Sequence, residues 1–158
     1  MKNVTFIFLI FILINTLSCT RLIATGLEES STMLDREDDK NLIIPSDVIV
    51  EANLKYGDDV KQSIDFYIPK MTDTKLMPII FLVHGGAWMI GDKASPGLMN
   101  NKINYWLPRG FVIASVNYRT SFSPNPQDQL QDIAKAFDFV AHKAPSINAN
   151  PKKIILMG

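Results

Sequence analysis

Pro78-Ile79-Ile80-Phe81-Leu82-Val83-His84-Gly85-Gly86-Ala87-Trp88-Met89-Ile90-Gly91-Asp92-Lys93 is the stretch on which the fold turns. Ile79 to Val83 is apolar at every position and rich in β-branched residues, as a strand buried on both faces of a parallel sheet must be. His84-Gly85-Gly86-Ala87 ends that strand. Two adjacent glycines allow backbone angles that a Cβ forbids, so peptide N–H groups can turn outward from the sheet end. Outward amides at the carboxyl end of a parallel strand are suited to a developing oxyanion.

Elements alternate on either side of this stretch. Upstream, Asp47 to Leu54 reads as a first strand, and Tyr56-Gly57-Asp58-Asp59 has turn chemistry. Ser63 to Ile68 alternates, which predicts a second strand with one wetter face, ended by Pro69. Downstream, Ser95-Pro96 marks a helix start, with Ser95 as N-cap, and Pro108-Arg109-Gly110 its end. Phe111 to Asn117 is a fourth strand, buried and closed by Tyr118-Arg119. Asn125 caps a second helix whose apolar face is expected to be Leu130, Ile133, Ala134, Phe137, Val140, Ala141 and Ala144, with Phe139 opposite and Pro145 as the stop. Ile154 to Gly158 is a fifth buried strand. Strands alternating with helices predict a parallel α/β sheet.

Composition excludes several classes. The 158 residues include 16 basic and 16 acidic side chains, which gives no electrostatic case for nucleic acid. The one cysteine, Cys19, excludes an intrachain disulfide and a cysteine-based metal cluster. The two histidines, His84 and His142, have no carboxylates placed beside them, so no His-based metal site is expected. Gly85-Gly86 is not a phosphate loop, because no G-x-x-x-x-G-K-[ST] follows.

Residues 1–18 read as an export signal: Lys2 precedes the apolar run Val4 to Leu17, which is short of the roughly 20 residues a spanning helix needs. Leu17-Ser18-Cys19 resembles a bacterial lipobox, with Thr16 where that pattern has an aliphatic residue. It implies lipid on Cys19 and attachment to the cell envelope, and ordinary cleavage near Ser18 or Ala24 is the alternative. Residues 19–45, acidic and polar through Asp39, are expected to form a flexible tether, leaving 46–158 as the folded part.

The motif H-G-G-x-W (His84, Gly85, Gly86, Trp88) followed by Gly91-Asp92-Lys93, with the strand ending Val116-Asn117-Tyr118-Arg119, resembles the α/β-hydrolase superfamily. The branch it resembles holds BD-FAE (feruloyl-esterase-like) esterases, carboxylesterases and kynurenine formamidases. The resemblance implies a partial α/β-hydrolase fold. Its sheet is mostly parallel, made of the first five of eight strands in the order 1-2-4-3-5-6-7-8, with flanking helices, and it ends just before the nucleophile elbow. Gly158 would be the first elbow glycine. The serine, acid and histidine of the triad would all lie beyond it, so these residues alone are expected to be inactive.

By the same resemblance, Gly86 and Ala87 carry the oxyanion-hole amides and His84 is structural. Trp88 either lines the acyl or leaving-group pocket or packs the loop. Asp92 and Lys93 fix the loop by a local ion pair or turn, and Arg119 pairs with Asp132 to hold the loop after the fourth strand. None of Ser63, Ser95, Ser115, Ser121, Ser123 and Ser146 stands between glycines on a strand-to-helix turn. The implied activity is hydrolysis of a small ester or amide through an acyl-enzyme, with no metal or organic cofactor. The alternative is a non-catalytic or split envelope protein that takes a complementary half on its fifth strand. That strand, Ile154-Ile155-Leu156-Met157, is an apolar edge, which predicts poor solubility of the isolated 158 residues or disorder of the strand.

Overall fold

The apolar run around Ile79 forms the strand β3 (Met77–Val83), with β4 (Val112–Asn117) on one side and β5 (Ala149–Met157) on the other. This computed structural model describes residues 41–71, 75–123 and 125–158. The signal-like segment, Cys19 and the tether as far as residue 40 lie outside them. Two further strands, β1 (Val48–Lys55) and β2 (Ser63–Pro69), complete a five-stranded sheet of order β1-β2-β4-β3-β5.

The sheet is mixed. β3 pairs in parallel with β4 and β5, whereas β1–β2 and β2–β4 are antiparallel. Connection length explains the difference. The short turn from Tyr56 to Gln62 can return the chain only as a hairpin, while parallel neighbours need a crossover long enough for a helix. Those crossovers are α1 (Pro96–Trp106) and α2 (Pro126–Lys143).

The two helices cover different hydrophobic clusters. Met99, Ile103 and Leu107 pack with Tyr67, Ile80, Leu82 and Ile113 on the α1 side. Ala136, Val140 and Ala144 pack with Phe66, Phe81 and Ala114 on the α2 side. The alternation Phe66/Tyr67 and Phe81/Leu82 between clusters is the two-residue period of a strand. It also corrects the expected wet face of β2: all seven of its residues are buried, because β2 lies inside the sheet with a cluster on each side.

Each helix departs from the pattern in one respect. α1 starts at Pro96 as expected, but Ser95 makes no side-chain cap. Instead its carbonyl accepts from the amides of Leu98 and Met99 at 3.0 and 2.9 Å. A 3-10 turn over Leu107–Arg109 and Gly110 at φ +76° end it. In α2 the Asn125 side chain does cap, accepting from the Gln127 amide at 3.1 Å. The buried stripe, however, is Gln129, Asp132, Ala136 and Val140. Leu130 is 70 % exposed and Ala134 is also exposed, Phe137 is half-buried edge-on to Phe81, and Phe139 packs against Phe66. Ile133, Val140 and Ala144 of the expected face do meet the core, but apolar periodicity missed Gln129 and Asp132, polar residues of the stripe that are held by hydrogen bonds.

Residues within the expected tether also take part. The Ile43 amide donates to Asn100 Oδ1, and Asn100 Nδ2 donates to the Asn41 carbonyl, both at 2.9 Å. β5 begins five residues before Ile154, with a register shift opposite Met77/Ile79 that takes up Pro151 on the edge strand. Ile155 and Leu156 on that edge are 46 % and 67 % exposed.

Val140→Ala should cost about 2 kcal/mol of stability for the two methyl carbons and the cavity they leave. Leu130→Ala in the same 158 residues should stay within about 0.5 kcal/mol. Urea midpoints measure both, and the reverse order would mean that α2 presents the other face.

Candidate functional site

Past Val83 the backbone enters a run of left-handed residues: Gly86 at φ +119°, Ala87 at +51° and Trp88 at +65°, then Gly91 at +130°. Gly86 and Gly91 are required by space as well as by angle. A Cβ on Gly86 would fall 2.0 Å from the Ile90 carbonyl oxygen, and one on Gly91 would fall 2.1 Å from His84 Nδ1. Gly85 is different: its φ is ordinary and no atom lies within 4 Å of where its Cβ would be. The unusual angles thus fall on the second of the two adjacent glycines and continue into Ala87 and Trp88. Non-glycine residues in this region cost about 1–3 kcal/mol each and persist only where the surroundings hold them.

The Gly86 carbonyl accepts from the amides of Met89 and Ile90, both at 3.1 Å. The amides of Gly86 and Ala87 have no partner among the described residues. They border a cleft of about 350 Å³ lined by Val83, His84, Gly85, Gly86, Ala87, Trp88, Tyr118 and Gly158. β5 therefore delivers Gly158 to the same cleft as the glycine loop. Trp88 lines this cleft and is 61 % exposed. His84 is buried beneath the loop. Its ring stacks on Tyr118 at 4.6 Å, and Tyr118 Oη donates to the His84 carbonyl at 3.1 Å. Nδ1 lies 2.7 Å from the Gly85 carbonyl, which can only accept, so that nitrogen carries a proton. Burial pushes the Tyr118 phenol above its ordinary value and keeps it protonated.

The far end of the loop is bolted to the sheet. Lys93, buried, sends its Nζ to Asp65 Oδ2 at 2.9 Å and to Asn53 Oδ1 at 3.0 Å, while its amide donates to Asn117 Oδ1 at 2.7 Å. The ammonium thus reaches β2 rather than the adjacent Asp92. Asp92 makes the local turn, accepting from the Ala94 amide at 2.8 Å and from Asn117 Nδ2 at 2.9 Å. Burial raises the Asp92 carboxyl, but the hydrogen bonds from Asn117 and Ala94 and the Lys93 and Lys61 charges outweigh it, leaving its pKa lowered.

Arg119 and Asp132 come together. Arg119 Nε donates to Asp132 Oδ2 at 2.8 Å, Nη2 to Oδ1 at 2.7 Å, and the Arg119 amide to Oδ2 at 3.0 Å. Gln62 Nε2 adds a fourth bond at 2.6 Å, so the carboxylate joins α2, the segment after β4 and the turn before β2. Burial raises its pKa, and the bonds from Arg119 and Gln62 together with the Arg119 charge lower it by more.

Serine and histidine chemistry stays apart here. Among the described residues no serine hydroxyl bonds to either imidazole: Ser115 donates to the Lys93 carbonyl, Ser146 to the Lys143 carbonyl, and exposed His142 places Nδ1 2.7 Å from the Asp138 carbonyl. No group of three or more His, Cys, Asp and Glu among the described residues is placed to hold a metal. Sequence reasoning passed over Asp65, Asn53 and Gln129. Gln129 stands among helix positions that the buried face requires, whereas Asp65 and Asn53 fall on the strand faces that alternation assigns to polar residues and so gave no signal.

The profile of the BD-FAE family matches residues 64–158, which contain the glycine loop, Lys93, Arg119, Asp132 and Gly158, with Asn53 and Gln62 just before them. The chain belongs to the BD-FAE family. It is an esterase-like family of α/β-hydrolases, and these residues hold an N-terminal portion of the fold. The chain is 30 % identical over 109 residues to a probable isoprenylcysteine alpha-carbonyl methylesterase of Arabidopsis thaliana, covering 69 % of this chain and 22 % of that protein. A truncated carbohydrate esterase from gut microbiota superposes with a TM-score of 0.60 at 26 % identity, over 72 % of this chain and 40 % of the other. Esterase B from Lactobacillus rhamnosis shares the fold at 23 % identity with a TM-score of 0.64, over 87 % of this chain and 43 % of its own. The chain spans about a quarter of the length of the curated relatives it matches.

Gly86→Ala and Gly91→Ala should both disrupt the loop, and Gly85→Ala should leave it intact. Amide exchange over residues 84–92 reads the difference, and equal effects at all three positions would contradict the geometry. Because the Asp132 carboxyl is depressed in the folded state, its contribution is present above the ordinary carboxylate pKa of about 3.9 and is lost as pH falls through the lowered folded value. Asp132→Asn should therefore lower the melting temperature at pH 7 and shrink its fall between about pH 5 and pH 2. An acid limb as steep as in the parent would exclude this carboxylate as its source.

Proposed function

We propose that residues 64–158 form the oxyanion side of a serine-esterase site that acts on a small carboxylic ester, with aryl-formamide the related substrate. What carries the reading is the left-handed turn Gly86–Trp88 at the carboxyl end of β3. It leaves the Gly86 and Ala87 amides without partners, among the described residues, at a cleft shared with Gly158.

A nucleophile entering that cleft attacks the ester carbonyl. As the carbonyl carbon becomes tetrahedral its oxygen gains charge, and two amides fixed in advance donate hydrogen bonds to it without reorganising. Each such donor contributes about 10²- to 10³-fold to kcat. The Trp88 indole forms an apolar wall for the acyl or leaving group. Serine, histidine and the acid that orients it are assigned to residues outside the 158, with the serine in x-Ser-x-Gly directly after Gly158.

The gene read past codon 158 tests the last point, and the protein from the complete frame tests the activity. The expected result is x-Ser-x-Gly, followed by an acid and a histidine. The protein should hydrolyse p-nitrophenyl acetate or butyrate, lose activity to one equivalent of an organophosphonate, and lose about 10²-fold or more in kcat on Gly86→Ala. The absence of both hydrolysis and phosphonate labelling would overturn the esterase reading. A stop codon directly after Gly158 would move support to the second reading, in which a separate chain pairs with β5. The exposed Ile155 and Leu156 on that edge are the observation in its favour.

A further inference from the structure

Three consecutive left-handed residues, two of them with side chains, do not hold their shape unaided. The Gly86 carbonyl is secured within the loop by Met89 and Ile90, but the Trp88 carbonyl is secured from outside it. It accepts from Gln129 Nε2 at 2.9 Å and from the Ser121 amide at 3.4 Å. The second hydrogen of the same Nε2 goes to the Arg119 carbonyl, also at 2.9 Å.

Both partners are carbonyls, so the orientation of the Gln129 amide is dictated: the reversed group would set an acceptor against two acceptors. Its Oε1 is buried and has no partner among the described residues. Leaving that acceptor bare costs stability, and an apolar side chain of the same length would avoid the cost. What the glutamine supplies in return is a pair of donors that ties the loop to the segment after β4. Arg119 in that segment is itself held by Asp132, three residues further along the same helix. Trp88 and Arg119 are thus both referenced to α2, which is packed on the sheet through Ala136 and Val140.

We propose that Gln129 is a positioning residue of the site: by gripping the Trp88 carbonyl it sets the peptide planes that carry the Gly86 and Ala87 amides. The inference rests on the esterase reading for its catalytic consequence and on the hydrogen bonds alone for its mechanical one. Gln129 touches no reacting atom. Its loss leaves the nucleophile in place and lets the oxyanion donors drift, a displacement that acts on the transition state more than on substrate binding.

The test uses Gln129→Met, which keeps length and removes both donors, and Gln129→Glu, which sets a carboxylate against the two carbonyls. Val140→Ala destabilises the same helix without touching the loop. In the complete enzyme both Gln129 variants should lower kcat for p-nitrophenyl butyrate by about ten- to a hundredfold with KM within about twofold. They should weaken a trifluoromethyl-ketone transition-state analogue in parallel and speed amide exchange over residues 84–92. Val140→Ala should lower the melting temperature with kcat unchanged. Unchanged exchange in Gln129→Met, an unchanged kcat, or a loss expressed wholly in KM would overturn the proposal. If the parent hydrolyses no ester, the esterase reading fails separately. Exchange then decides alone: faster exchange in Gln129→Met supports the clamp, and no change removes it.

Discussion

The buried pair between Lys93 and Asp65 is the constraint on which the rest of the loop depends. Taking two charges out of water is unfavourable unless the remaining donors and acceptors are also satisfied, and removing one partner of such a pair costs about 3–5 kcal/mol. Here both sides are served. Asn53 accepts from the Lys93 ammonium at 3.0 Å, and the Asn53 amide donates to Asp65 at 2.7 Å. Asn53 can do both because β1 bulges at this point, with a register shift between Glu51 and Leu54 and Asn53 itself at φ +58°. The bulge turns an edge strand inward to complete a buried ionic site.

With its far end held there, the loop from His84 to Lys93 spans two fixed points. One is the end of β3; the other is the Lys93 cluster, extended by Asn117 and Ser115 of β4. Between them the chain must make a tight excursion, and Gly86 and Gly91 are where it cannot carry a side chain. Asp132 performs the same service for the opposite wall, where one buried carboxylate on α2 collects three hydrogen bonds from Arg119 and one from Gln62. The site is thus positioned by polar networks that lie at its ends and behind it, in a sheet whose apolar clusters supply the stability.

Much of this was legible in the residues. The apolar run at Ile79 to Val83, Pro96 and Asn125 as helix starts, the Gly-Gly turn and the pairing of Arg119 with Asp132 all rest on local chemistry or on a motif, and each is found at its expected place. The face of α2 was legible only in part: Ile133, Val140 and Ala144 meet the core as expected, but hydrophobic periodicity scores Leu130 above Gln129 and cannot register a glutamine bonded to two distant carbonyls. The burial of β2 was obscured by Ser63 and Asp65, which look wet until the ammonium of Lys93 is placed beside them.

By itself the sequence determined the elements, their order, the glycine turn and the family, since these depend on residue type and spacing along one chain. Only the tertiary structure decided that Lys93 reaches Asp65 instead of its neighbour, that Gln129 grips Trp88, and that Gly158 meets the glycine loop across one cleft. Such pairings join residues 28, 41 and more than 70 positions apart. A charge or an amide selects its partner by distance and desolvation in the folded state, and neither quantity exists until the strands have been laid side by side.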